Sequence, residues 1–229
     1  MSESLIITID GPAGTGKSTI AAELAERFSL ARLDTGAMYR AVALIALRES
    51  IDVSDGDALA AATAAHELRC DLSANPPLML LDGEDVEPFI RSADIGGIVS
   101  EVSTAVPVRT ALVDMQRATA SAHPRLVSEG RDQGSVVFPD AQVRFYLTAD
   151  LDERVHRRVG QLSQGGAAVD PGEVEAEIRH RDKIDASRVT SPLRCPDGAI
   201  CVDSSGMSIK QVVDALEAHV RQCVGPDAC

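Results

Sequence analysis

The sequence predicts an α/β protein in which a five-stranded parallel sheet carries helices on both faces. Three observations point there. Apolar runs alternate with helical periods from the N-terminus onward, a glycine-rich turn joins the first such pair, and two excursions interrupt the rhythm without dividing the chain. A chain of 229 residues, 45% hydrophobic and 25% charged, can bury a sizeable core, and those figures exclude disorder and low complexity.

The elements follow in order. Residues 5–9 (Leu-Ile-Ile-Thr-Ile) form an apolar run of strand length. Ile20, Leu24 and Phe28 then recur at the i, i+4, i+8 spacing of one helix face. A short strand is expected at 31–34 and a helix at 36–48. Strands return at 125–128, 143–148 and 199–202, and Ile209, Val212, Val213, Leu216 and Val220 mark a closing amphipathic helix. Two stretches break the alternation. Runs at 68–72 and 78–81 flank Ser73-Ala-Asn-Pro-Pro77, a turn cluster that predicts a hairpin within an inserted lobe at about 50–105. Residues 163–172, rich in glycine, predict a flexible loop suited to a lid. The chain therefore reads as one domain, with a core of 1–49, 106–153 and 173–229, an insert at about 50–105 and a lid at about 154–172.

Charge narrows the function. Thirty-five acidic residues against 22 basic ones give a net charge of −13, a field that repels polyanions and argues against nucleic acid as a partner. The bases are 19 Arg and three Lys, and guanidinium forks suit bidentate grips on phosphate within local pockets. The longest clean apolar run, 41–47, is far too short to span a membrane, and the Met-Ser-Glu-Ser start has no basic region of a signal peptide. Five cysteines (70, 195, 201, 223 and 229), an odd number without a CxxC, fit reduced thiols in the cytoplasm. The last four are spaced in a way that could suggest a metal clip, but the Gly-Pro tail between Cys223 and Cys229 weighs against it. The five histidines are scattered, no Ser-His-Asp or Cys-His set emerges, and covalent catalysis is not expected.

The chemistry is carried by Gly11-Pro12-Ala13-Gly14-Thr15-Gly16-Lys17-Ser18, a full GxxxxGK[ST] match between an apolar strand and an amphipathic helix. Its glycines let backbone N–H groups turn inward around phosphate oxygens, and the helix N-terminus adds positive potential. Lys17, expected to project from a solvent-facing loop, would reach the β and γ phosphates, and the Ser18 hydroxyl would hold Mg²⁺. Three classes use such a loop. A GTPase-type switch needs a DxxG and a base reader, for which Asp94-Ile-Gly-Gly97 and Asp182-Lys-Ile-Asp185 are only partial matches. An ATP-driven motor needs a strand ending in adjacent acids, and none does. Small-molecule kinases remain favoured by the arginines: Arg40 follows the second strand, and eight of the 22 bases fall between 150 and 194. Arg154, Arg157 and Arg158 are spaced to share a helix face, where they would neutralise equatorial oxygens unless they pair with Asp150, Asp152 and Glu153. Asp34, ending the second strand, reads either as a carboxylate holding a Mg²⁺ water or as the N-cap of the next helix. Glu129 reads as a cap as readily as a metal contact and stays outside the expected site. Asp132 could form a local ion pair with Arg131.

These residues resemble the bacterial-type cytidylate kinases (CMP kinases) among the nucleoside monophosphate kinases. The resemblance rests on 9–19, on Leu33-Asp-Thr-Gly-Ala-Met-Tyr-Arg40, on Gly83-Glu-Asp-Val86 with Ile90-Arg91, on Pro107-Val-Arg109, on the Glu129-Gly-Arg-Asp-Gln-Gly stretch through Asp140, and on Arg181-Asp-Lys-Ile-Asp185 with Arg188 and Ser191-Pro-Leu193. It implies a P-loop NTPase fold with an enlarged NMP-binding lobe and a short lid. It also implies Mg²⁺-dependent transfer of the ATP γ-phosphate to CMP or dCMP; the enzyme is expected to be cytoplasmic and monomeric. Carried over by position, ATP would lie on Gly11 through Thr19, under Arg154, Arg157 and Arg158. The cytosine would meet Thr35, Ser100, Arg109 and Asp132, and the ribose Asp185. The acceptor phosphate would lie among Arg40, Arg131, Arg181 and Arg188, with Lys17 and the last three catalytic. Gln133 and Ser135 depart from the family, which more often has an apolar residue and Thr there.

Overall fold

A computed structural model describes residues 4–163 and 169–224. Its main sheet has five strands, β1 (Leu5–Asp10), β2 (Ala31–Asp34), β6 (Arg125–Gly130), β7 (Val143–Thr148) and β8 (Ile200–Asp203), in the order β2-β6-β1-β7-β8. Every neighbouring pair is parallel, as the alternation of strands and helices required. Helices α1 (Lys17–Phe28) and α9 (Ile209–Val224) cover one face, where Ile20, Leu24 and Phe28 meet Val213 and Leu216 over Ile7 and Ile9. Helix α2 (Thr35–Glu49) and helix α6 (Val106–Ala122) cover the other, packing Met38, Val42 and Leu112 against Leu33 and Leu126.

Between α2 and α6 lie α3 (Gly56–Ala65), the antiparallel hairpin β3 (Leu68–Asp71) and β4 (Leu78–Leu81), and the short helices α4 (Glu87–Ile90) and α5 (Ala93–Val102). A two-residue strand, β5 (Glu84–Asp85), adds a third edge to the hairpin. No sequence signal announces it, because two exposed acidic residues have no β propensity and are set only by the Asp82–Gly83 turn. On the C-terminal side, α7 (Leu151–Ser163) and α8 (Pro171–Ser187) pack on each other, α8 opening on Asp170 as N-cap and Pro171 at its first position. The core of the expected lid loop, 164–168, lies outside the described residues, as does Cys229. Among the described residues no helix is long and apolar enough to cross a membrane.

Candidate active site

The loop after β1 is shaped by close approach. A Cβ on Gly11 would lie 2.2 Å from the Leu147 carbonyl oxygen of the neighbouring strand, and Gly16, at φ 86°, turns the chain into α1 in a conformation other residues resist. Only glycine therefore lets the backbone from Gly11 to Lys17 wrap back over the sheet edge. Arg154 braces this loop from beneath, donating to the Ala13 carbonyl at 3.2 Å and pairing with Asp182, whose other oxygen accepts the Ala13 N–H at 3.4 Å.

Lys17 does not project into solvent. It is 7% exposed, and its ammonium folds back to donate to the Pro12 carbonyl at 2.7 Å and to Thr15 Oγ1 at 3.4 Å. Burial, and next the Arg131 guanidinium, pull its pKa well below the ordinary lysine value. The loop therefore holds a poorly compensated cation where a phosphate would arrive.

The next helical residue binds the acid left outside the expected site. Ser18 Oγ donates to Glu129 Oε2 at 2.7 Å, while Glu129 Oε1 is buried without a partner. Asp34 and Glu129 sit side by side in the β2–β6 register, and burial followed by the Asp34 charge pushes the Glu129 carboxyl up to about 7. An orphaned buried oxygen beside a second carboxylate and a serine hydroxyl fits a divalent cation held through oxygen ligands and water. Asp34 serves as the N-cap of α2, accepting from the Ala37 N–H at 3.1 Å, and its second oxygen faces Arg91 at 3.5 Å in the same cleft.

That cleft is lined by Lys17, Ser18, Asp34, Arg40, Arg91, Glu129, Arg131, Arg158 and Arg181. Arg40, Arg158 and Arg181 make no salt bridge among the described residues, although the chain is strongly acidic. Burial, then repulsion from Arg131 and Arg40, lowers Arg181 to about 9. Uncompensated guanidinium groups crowded together mark an anion site. Arg91, absent from the expected set, joins them because α4 brings it over the mouth of the cleft.

Arg157 does not join them. Its two nitrogens donate to Ser204 Oγ at 3.0 Å and to the Ser204 carbonyl at 2.7 Å, and its Nε to Glu153 at 2.9 Å. The helical spacing is met, but packing against the turn after β8 turns this residue away and leaves Arg158 facing the cleft.

Beyond Arg181 the cleft continues into a pocket lined by Thr35, Tyr39, Ser100, Ser103, Arg109, Arg131, Asp132, Asp185 and Arg188. Asp132 pairs with Arg109 and not with its neighbour Arg131; both partners are about 95% buried, and the Arg109 guanidinium stacks over Tyr39 at 5.5 Å. Arg131 instead donates to Asp185 at 2.7 Å, and Arg188 pairs with the other oxygen of Asp185. Thr35 spends its hydroxyl proton on the Glu129 carbonyl at 2.7 Å, which leaves only its remaining lone pairs for a ligand. The Asp132 backbone is fixed from below by Asp10, whose carboxylate accepts the Gln133 and Gly134 N–H groups at 2.8 and 2.7 Å, at the start of a π-helical turn over Gln133–Val137. Gln133, one of the two departures, joins Ser128 Oγ, Gln116 and Asp132 Oδ1 in a buried amide network.

A phosphate-gripping loop on a parallel sheet, facing a cationic cleft that leads to a polar pocket, defines a P-loop kinase of small molecules. The fold agrees with a gluconokinase from Sinorhizobium meliloti, 13% identical, with a TM-score of 0.50 over 97% of this chain and 95% of that one. It also agrees with a protein of Eubacterium ventriosum described as uncharacterized, 14% identical, with a TM-score of 0.54 over 96% and 99%. The family model for cytidylate kinase matches residues 7–222, and the chain belongs to that family. A cytidylate kinase of Mycobacterium avium is 45% identical to it over 97% of both chains, and one of Caldanaerobacter subterraneus 43% identical over 94% of both.

Proposed function

We propose that this protein transfers the γ-phosphoryl group of ATP to CMP and dCMP, as a cytoplasmic monomer, with Mg²⁺ at Ser18 and Glu129 and with Asp34 acting through water. The observation that carries the reading is the group of arginines without a salt bridge among the described residues, Arg40, Arg158 and Arg181, between the P-loop and the pocket of Asp132 and Arg109. In-line transfer asks little covalent chemistry of the protein and much positioning and charge neutralisation. The backbone of Gly11–Thr19 binds the donor phosphates, and Lys17 leaves the Pro12 carbonyl for a phosphate oxygen. Arg131, Arg181 and Arg188 orient the acceptor phosphate with Arg40, Asp185 orients the ribose, and Asp132, Arg109, Ser100 and Thr35 surround the base. Arg154 supports the donor loop, Arg158 reaches over it, and Arg157 has no part in binding. The bound metal would neutralise charge between the β and γ phosphates. Residues 50–105 act as the acceptor-binding lobe and 154–172 as a lid that excludes water.

An assay of ADP release across CMP, dCMP, UMP, AMP and shikimate tests this directly. Turnover with CMP and dCMP is expected; turnover confined to another acceptor redirects the assignment within the kinases, and silence with all of them points to a nucleotide sensor.

The metal assignment has its own test. With Glu129 pushed up to about 7, the neutral acid prevails below that pH in the free enzyme, so apparent Mg²⁺ affinity is expected to weaken as pH falls through 7. The stability this group contributes is fully present below the ordinary value of 4.5 and is lost as pH rises through about 7. Glu129→Gln should cost about 10- to 100-fold in Mg²⁺-dependent rate. It should also flatten the pH dependence of the Mg²⁺ requirement and raise the melting temperature of the metal-free protein above pH 7. An unchanged Mg²⁺ profile would remove Glu129 from the metal site.

A further inference from the structure

We propose that Cys195 and Cys201 form a redox-active dithiol, a modification site that takes low-molecular-weight disulfides and closes to an intramolecular disulfide by thiol–disulfide exchange. Their sulfurs are 2.8 Å apart, both residues are exposed, and neither lines the cleft of the arginines. Ordinary side-chain freedom does not produce this approach. Cys201 lies on β8 at the sheet edge, where Ile200 and Val202 pack toward α9, so the strand alternation sends Cys201 to the opposite face. Cys195 is brought back over that face by a turn in which the Ala199 N–H donates to the Pro196 carbonyl at 3.0 Å and Gly198 takes φ 71°. Pro196 is buried against Gly134, which anchors the turn.

A metal fits this pair poorly. No group of three His, Cys, Asp or Glu side chains able to hold an ion occurs among the described residues, and two sulfurs in van der Waals overlap leave no room for an ion between them. A disulfide needs only a further approach to about 2.05 Å. Burial and the hydrogen bond with Cys201 push the Cys195 thiol up to about 11, so Cys195 holds its proton through the first exchange.

The exchange balances without another oxidant. The Cys201 thiolate attacks a small disulfide, forms a mixed disulfide and expels one small thiolate. The Cys195 sulfur, giving its proton to that thiolate or to water, then attacks Cys201 Sγ and expels the second small thiol. Two protein thiols are oxidised and one small disulfide is reduced to two thiols.

The product would tether the segment after α8 to the sheet edge. In the strand register Cys201 stands beside Tyr146 and Tyr146 beside Asp10, whose carboxylate holds the Asp132 turn, while the Leu193 N–H donates to the Asp185 carbonyl at 2.8 Å. The tether therefore ends in the cross-strand row that runs through Tyr146 and Asp10 to Gly130 of the acceptor pocket.

The test treats the reduced full-length protein with oxidised glutathione, then alkylates and maps it by mass spectrometry. Loss of two alkylatable thiols is expected at Cys195 and Cys201, in one linked peptide two hydrogens lighter, reversed by dithiothreitol and formed faster in the folded protein than in denaturant. Cys195→Ser should instead trap glutathione on Cys201. Cys195 and Cys201 both remaining alkylatable while Cys223 takes up glutathione would overturn the proposal. So would equal closure rates in folded and denatured protein.

Discussion

Lys17→Met is expected to lower kcat for CMP by about 10³-fold or more while leaving the fold intact. The rate loss follows from removing a positive charge aimed at the phosphoryl group in transfer, where preorganised electrostatics supply the largest share of catalysis. Retention of the fold rests on burial and not on exposure. Lys17 is 7% exposed and its charged form is disfavoured where it sits, so a Met of similar length relieves a desolvation cost. What it gives up is the 2.7 Å bond to the Pro12 carbonyl, and Pro12 is itself only half-buried, so water can replace the donor. Steady-state kinetics with a thermal melt on the same samples checks both halves. Near-normal turnover would remove Lys17 from the phosphate site, and a collapsed melting temperature would show that the bond to Pro12 is structural.

The parts of this site that were legible in the sequence are those whose geometry is local. The P-loop is a contiguous segment whose flanking strand and helix are both visible in the hydrophobic pattern, and the parallel sheet follows from the same alternation. Glu129 was not legible as a site residue because its partner Ser18 lies 111 positions away, and only the adjacency of β6 and β1 brings them together. Asp132 and Arg131 are neighbours in sequence, yet they diverge to Arg109 and Asp185, because adjacent residues leaving a strand point to opposite sides. Helical spacing placed Arg154, Arg157 and Arg158 on related faces. Which of them meets the cleft was decided by α8 and by the Ser204 turn, neither of which periodicity encodes.

Base selectivity carries the other large expected effect: UMP should be used less efficiently than CMP by about 10²-fold or more in kcat/KM, at about 1–3 kcal/mol per mispaired buried group. Cytosine offers an N4 amino donor, with acceptors at N3 and O2. The pocket holds a carboxylate and a guanidinium in fixed relation, since Arg109 is tied both to Asp132 and to the Ser103 carbonyl at 3.0 Å. Asp132 Oδ1 keeps acceptor capacity, because among the described residues it accepts only from the Gln133 amide, at 3.4 Å, and Arg109 Nε is buried without a partner. Uracil would turn O4 toward the carboxylate and an N–H toward the cation, replacing two attractions by two mismatches. Asp132→Ala should lower kcat/KM for CMP far more than it lowers ATP affinity, but it strands a buried guanidinium at a cost of about 3–5 kcal/mol, so the fold is at risk. Asp132→Asn avoids that confusion. Its amide keeps the shape, can present nitrogen to uracil O4, and should narrow the CMP-to-UMP ratio with the melting temperature less affected. Equal use of CMP and UMP by the wild-type protein, or a ratio untouched by Asp132→Asn, would overturn this account of base reading and leave the phosphoryl-transfer site standing.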